Sequence, residues 1–238
     1  MIIDPIWILC NPRTGSSYLC ECLNHTGYFE PYENEYIDKC GDDRMLEHGM
    51  AFCEWMRIIK NKESFERNPP KFLKNIYEQH LSAIGQPDIK YIRSILPNIR
   101  FVVLIRSDII AHIASLYMAE YTKTWHIWGR NGAIRYKNIR VDIRDDLLVE
   151  CIDRVMWFQN NWSDLLNGHE YVIVKYEDLC DNCYDTLISL NASLGLEIDS
   201  DVILKSIRSN RLSIMRDQHG STNEIIGSIK DACLKYII

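Results

Sequence analysis

Ile6-Trp7-Ile8-Leu9-Cys10-Asn11-Pro12-Arg13-Thr14-Gly15-Ser16-Ser17-Tyr18-Leu19 is the stretch that decides the fold. Five apolar residues stop at Asn11-Pro12, the pattern of a buried strand running into a turn. Gly15 permits a tight curl. Ser16 then caps a helix reaching about His25, with Tyr18, Leu19, Cys22 and Leu23 as its apolar positions and Gly27 as its end. The turn between strand and helix has what an anion needs: a glycine, amides at a helix start, the positive end of the helix dipole and the fork of Arg13. A nucleoside-triphosphate loop reads GxxxxGK[ST], and the lysine after Gly15 is absent here. Taken alone, the loop also reads as an ordinary capped strand-to-helix turn.

Working outward, Phe101 to Ile105 (FVVLI) reads as a fully buried strand between Arg100 and Arg106, and Asp108 starts a helix of about a dozen residues. Phe72 to Tyr77 is a second strand candidate, and Tyr171 to Lys175 (YVIVK) a third core strand. Helices are expected at about 46–59, 147–166 and 186–194. Strands alternating with helices predict an α/β fold, a three-layer sandwich around a mostly parallel sheet. No repeat or linker divides residues 1–238, so one domain is expected. Residues 125–144, rich in Arg, Asn and Gly, read as an excursion or lid.

The composition excludes several classes. Of 238 residues 47% are hydrophobic and 25% charged, near ordinary globular values, so a disordered or fibrous chain is disfavoured. A net charge of −6 argues against a general nucleic-acid binder, which needs a basic face; any anion site must be local. Nine cysteines, an odd number in a chain this long, fit reduced thiols. Cys180 and Cys183 form a lone CxxC without the further ligands zinc wants, so no metal is expected. The amino terminus lacks a basic n-region and no run reaches the roughly 18 apolar residues of a membrane span, which points to the cytoplasm.

Ligands of open parallel sheets bind beyond the carboxyl ends of the strands. Arg106-Ser107-Asp108 leaves the FVVLI strand at that edge, and Ser115 follows about two turns into the next helix. The bland alternative is an exposed strand-end arginine and a small packing serine.

CNPRTGSSYL resembles the 5′-phosphosulfate loop of sulfotransferases, and RSDIIAHIAS resembles their 3′-phosphate motif. Phe29-Glu30-Pro31-Tyr32-Glu33, Lys74 to Gln79, Ser115 to Trp125 and Lys175 to Leu179 are similar to blocks of the trehalose sulfotransferase type, in the same order along the chain. The resemblance implies a P-loop NTPase-like sulfotransferase fold. It also implies a donor, 3′-phosphoadenosine-5′-phosphosulfate (PAPS), that leaves as 3′-phosphoadenosine-5′-phosphate (PAP). Arg13, Thr14, Gly15, Ser16 and Ser17 would hold the phosphosulfate end, Arg106 and Ser115 the 3′-phosphate, and Tyr176 would lie near the nucleotide. Arg216, in Met215 to Gly220, is faintly similar to part of the family's closing loop. His112 replaces the glutamine expected on the second motif's helix, and Ile113-Ala114-Ser115 stands for the usual alanine-valine-serine.

Sulfuryl transfer is an in-line displacement that depends on positioning and charge. Arg13 and the loop amides would stabilise the transferring group, with Lys74 as a second cation leaving a neighbouring strand near the same edge. Glu30 matches the family's carboxylate base; its alternative is a solvated loop acid, and Glu33 is next in line. His48, His80, His112 and His126 are bases only if that assignment fails. Trp125, with Trp128 and Tyr121, would form a stacking wall for an acceptor, or else core. The acceptor implied is a carbohydrate or glycolipid hydroxyl, and the resemblance hints at a homodimer. Two other readings stand beside it: a P-loop-like small-molecule kinase, and a non-catalytic PAP-binding homologue.

Overall fold

The computed structural model describes residues 6–27, 72–76, 93, 97–123, 142–209 and 223–237. Four parallel strands form one sheet in the order β2-β1-β3-β4: β1 is Ile6–Cys10, β2 Phe72–Ile76, β3 Arg100–Ile105 and β4 Tyr171–Lys175. The α/β class with a parallel sheet is as expected. β1 is buried at every position because β2 and β3 flank it and both of its faces are covered. A strand in that place must be apolar throughout, which is why IWILC shows no alternation.

Ile6, Ile8 and Cys10 join Val102, Leu104 and Val174 on one face, where they meet Leu19 and Leu23 of helix α1 (Ser16–His25). The same cluster takes in Leu187 and Leu190 of α5 (Cys183–Ser193) and Ile203 of α6 (Ser200–Ser209). On the other face Trp7, Leu9, Phe101 and Val103 are also buried, and the Phe101 ring lies 6.1 Å from that of Trp7 and 5.8 Å from that of His169.

A second cluster joins α2 (Ile109–Thr122), α3 (Asp145–Leu165) and α7 (Asn223–Ile237) through residues such as Leu116, Tyr117, Leu148, Val155 and Ile229. Tyr117 also accepts, through its hydroxyl, the backbone N–H of Arg144 at 2.9 Å, which fixes the start of α3 against α2. Asp108 caps α2 as its sequence suggests, accepting from the Ala111 amide at 2.8 Å.

Two expectations change. β4 is not a core strand: Tyr171 and Ile173 are 40% and 43% exposed, and Val174 is its buried residue. Four apolar residues followed by Lys175 are compatible with a sheet edge when one face of the strand lacks cover. α5 begins at Cys183 rather than near residue 186, and a short helix α4 (Tyr176–Asp181) precedes it. The helix expected at 46–59 lies outside the described residues, as does most of the proposed lid at 125–144.

Candidate anion site at the carboxyl edge of the sheet

Cys10 is the register partner of Leu104, and Ile105 that of Lys175. Asn11, Arg106 and Tyr176 therefore leave three neighbouring parallel strands side by side. From β1 the chain goes to β2 on one flank and returns as β3 on the other. The loops after β1 and β3 diverge at that point, which is where open α/β sheets form their ligand crevice.

The first loop is held in a curl. Thr14 Oγ1 donates to the Asn11 carbonyl at 2.8 Å, and Arg13 and Gly15, on either side of Thr14, have φ of 68° and 83°. Left-handed backbone costs a residue with a Cβ roughly 1–2 kcal/mol, so Arg13 keeps it only because its surroundings enforce it. His112 is one enforcer. Its imidazole is fully buried in α2, with Nε2 2.7 Å from the Pro12 carbonyl. A carbonyl can only accept, so Nε2 carries the proton and Nδ1 the lone pair. Burial, followed by the nearby Arg106 and Arg13 cations, lowers the pKa of this histidine to about 4, against the bond to Pro12, which raises it. His112 is thus neutral at pH 7, and because its ring is fully buried and its basicity is lowered, it is not placed to act as a base.

The second loop meets the first through side chains. Arg13 Nε donates to Ser115 Oγ at 3.2 Å, joining the loop after β1 to the helix after β3. Arg106 is only 6% exposed, with its guanidinium carbon 4.4 Å from the centre of the Tyr176 ring. A cation over an aromatic face at that distance is stabilised, more so when desolvated. Burial raises the pKa of the Tyr176 phenol, against the Arg106 and Arg13 charges, so the ring carries a neutral hydroxyl. Arg106 Nε, Asn11 Oδ1 and His112 Nδ1 are buried without hydrogen-bond partners. An unsatisfied buried polar atom costs about 1–3 kcal/mol, and three at one edge fit a place built to meet a polar ligand.

Neighbouring helices hold this edge. Gln159 Nε2 of α3 donates to the Arg106 carbonyl at 3.2 Å, and Asn11 Nδ2 donates to the Arg154 carbonyl at 3.4 Å. Glu177 accepts the Ser107 amide at 3.0 Å and the Asp108 amide at 3.1 Å. Burial works against its ionisation, but these amides and Arg106 outweigh it and keep its pKa below the usual carboxylate range. The Glu177 carboxylate thus closes the turn after β3 beside the Arg106 guanidinium.

Of the residues singled out in the sequence, Arg13, Thr14, Gly15, Ser16, Ser17, Arg106, Ser115 and Tyr176 lie on these adjoining loops and helix starts. Lys74 pairs with Ile8 in the middle of β2, further from the edge than its sequence position suggests. Glu30, Glu33, Trp125 and Arg216 lie outside the described residues. Sequence reasoning gave no structural role to Glu177 or Gln159 and treated His112 as a reserve base. The buried position of His112 among apolar neighbours on α2 was the available sign.

A solved sulfotransferase domain from the Synechococcus PCC 7002 olefin synthase is similar to this chain, with a TM-score of 0.46 and 14% identity. The alignment covers 98% of this chain and 96% of that one. No protein-family model matches the chain, and no curated protein sequence matches it. Among the described residues no helix is long and apolar enough to cross a membrane.

Proposed function

We propose that this chain is a sulfotransferase of the trehalose sulfotransferase type, with a three-layer P-loop NTPase-like fold, that transfers a sulfuryl group from PAPS to a carbohydrate or glycolipid hydroxyl. The observation that carries the proposal is the meeting of Arg13 and Arg106 at the divergence of β1 and β3. Arg13 is tied there to Ser115, and Arg106 is buried over Tyr176 with an open Nε. A dianionic nucleotide end fits such a pair better than a neutral ligand does, because it supplies the acceptors that buried guanidinium groups require.

PAPS, when bound, supplies a sulfuryl group on a phosphate leaving group. In the proposal Arg13 and the backbone of Thr14 to Ser17 hold the phosphosulfate and offset the charge that builds on the leaving oxygen. Arg106 and Ser115 hold the 3′-phosphate, with Arg216 as a further contact, and Tyr176 backs Arg106 beside the nucleotide. Glu30 takes the proton of the acceptor hydroxyl, while Glu33, Lys74 and Trp125 face the acceptor. The protein works in the cytoplasm as a homodimer and needs no metal.

The test is transfer of labelled sulfuryl from PAPS to a panel of sugars and glycolipids. Wild-type protein is expected to label at least one acceptor, and Glu30→Gln to lose about 10²- to 10⁴-fold in turnover with PAP affinity unchanged. PAP binding with no transfer to any acceptor would make the chain a non-catalytic binding protein instead.

A further inference from the structure

Away from the anion site, three reactive groups from distant parts of the chain meet where α1 touches α5. Tyr18 and Cys22 stand one turn apart on α1, and Cys183 is the first residue of α5. The Tyr18 hydroxyl lies 3.5 Å from Cys183 Sγ, and the Cys22 thiol is within hydrogen-bonding reach of both. Cys22 is fully buried in the core cluster, whereas Cys183 packs at the margin of that cluster and is partly open to solvent. Among the described residues none of the seven cysteines is in a disulfide.

We infer that Cys183 and Cys22 form an oxidation-sensitive thiol pair, with Cys183 as the thiolate that meets peroxide and Cys22 as the resolving thiol. Neither the anion site nor the proposed transfer reaction is needed for this.

Three features favour the thiolate at Cys183. The Cys22 thiol donates to it, and so does Tyr18; together they outweigh burial and lower its pKa to about 7. Burial, followed by the contact with Cys183, keeps the Tyr18 phenol protonated, so Tyr18 stays a donor. Cys183 also opens a helix of 11 residues whose cap residue, Asn182, makes no side-chain capping bond, leaving the positive helix end to the thiolate.

The chemistry balances with hydrogen peroxide as oxidant. The Cys183 thiolate attacks one peroxide oxygen, the O–O bond breaks, and hydroxide leaves, giving a sulfenic acid at Cys183. The Cys22 sulfur then attacks that of Cys183, expelling hydroxide that takes up the Cys22 proton as water. Two thiols and one peroxide become one disulfide and two waters. The new bond would fasten α1, the helix that leads out of the anion loop, to α5.

The experiment treats fully reduced protein with hydrogen peroxide, counts thiols in denaturant and maps cross-linked peptides by mass spectrometry. The expected result is loss of two of the nine thiols, recovered with dithiothreitol, and a peptide joining Cys22 to Cys183. Cys22→Ser is expected to lose one thiol and to take a dimedone adduct at Cys183. A link from Cys183 to Cys180, or oxidation of other thiols while Cys183 stays intact, would overturn the inference. Mapping of the wild-type protein decides the matter even where a variant folds poorly.

Discussion

Beneath α1, α5 and α6 the sheet is covered mainly by Ile, Leu, Val and Cys side chains, whereas at its carboxyl edge Asn11, Thr14, Arg106, His112 and Ser115 are buried. The same strands supply both regions. Leu104 closes the apolar cluster, and Arg106, two residues on, lies over Tyr176 with an unpartnered Nε. The apolar half contributes stability through burial and close packing. The polar half gives up stability to hold charged and hydrogen-bonding groups in place, which makes chemical sense only if they act on something. The two halves should therefore answer differently to substitution and to pH.

The largest effect on stability belongs to the apolar half. Leu104→Ala is expected to cost about 3 kcal/mol in urea unfolding, since the side chain is fully buried and its neighbours on two strands cannot close the gap. A loss below about 1 kcal/mol would mean that the cluster is not the close-packed unit described.

A pH dependence comes next, from the polar half. The folded-state pKa of His112 is lowered from 6.5 to about 4, so the unfolded chain takes up the proton first. Stability is complete above pH 6.5 and is lost as pH falls towards 4, by about 3 kcal/mol in all. Burial sets most of this, aided by the Arg106 and Arg13 charges and opposed by the Pro12 carbonyl and the Glu177 carboxylate. His112→Gln, which keeps a donor for Pro12 but does not titrate, is expected to flatten the difference between unfolding at pH 7 and pH 4.5. Equal slopes in the two proteins would remove His112 from the account.

The comparison also explains what the sequence made legible. IWILC and FVVLI are short apolar runs ended by Asn11-Pro12 and by Arg106, and both are central strands because nothing polar interrupts them. The loop from Asn11 to Ser17 was readable from Gly15 and the hydroxyls. The left-handed Arg13 was not, because no residue type marks a non-glycine position forced there by its neighbours. YVIVK has the same composition as a core strand but lies at an edge, and only its neighbours decide that. α6 went unread, although Val202, Ile203 and Ile207 pack against the cluster, because its charged residues hide a narrow apolar stripe. The meeting of Cys22 with Cys183 depends on chain crossing, which spacing along the sequence does not reveal.

Calorimetric titration with PAP tests the central claim most directly, run on wild-type protein, Arg106→Ala and Ser17→Ala, with ATP·Mg²⁺ as the control nucleotide. The account predicts tight binding by the wild type, weakening of about 10- to 100-fold in each variant from lost charge-assisted or hydroxyl contacts, and little response to ATP·Mg²⁺. Well-folded wild-type protein that does not bind PAP, or that binds it equally well without Arg106, would contradict it.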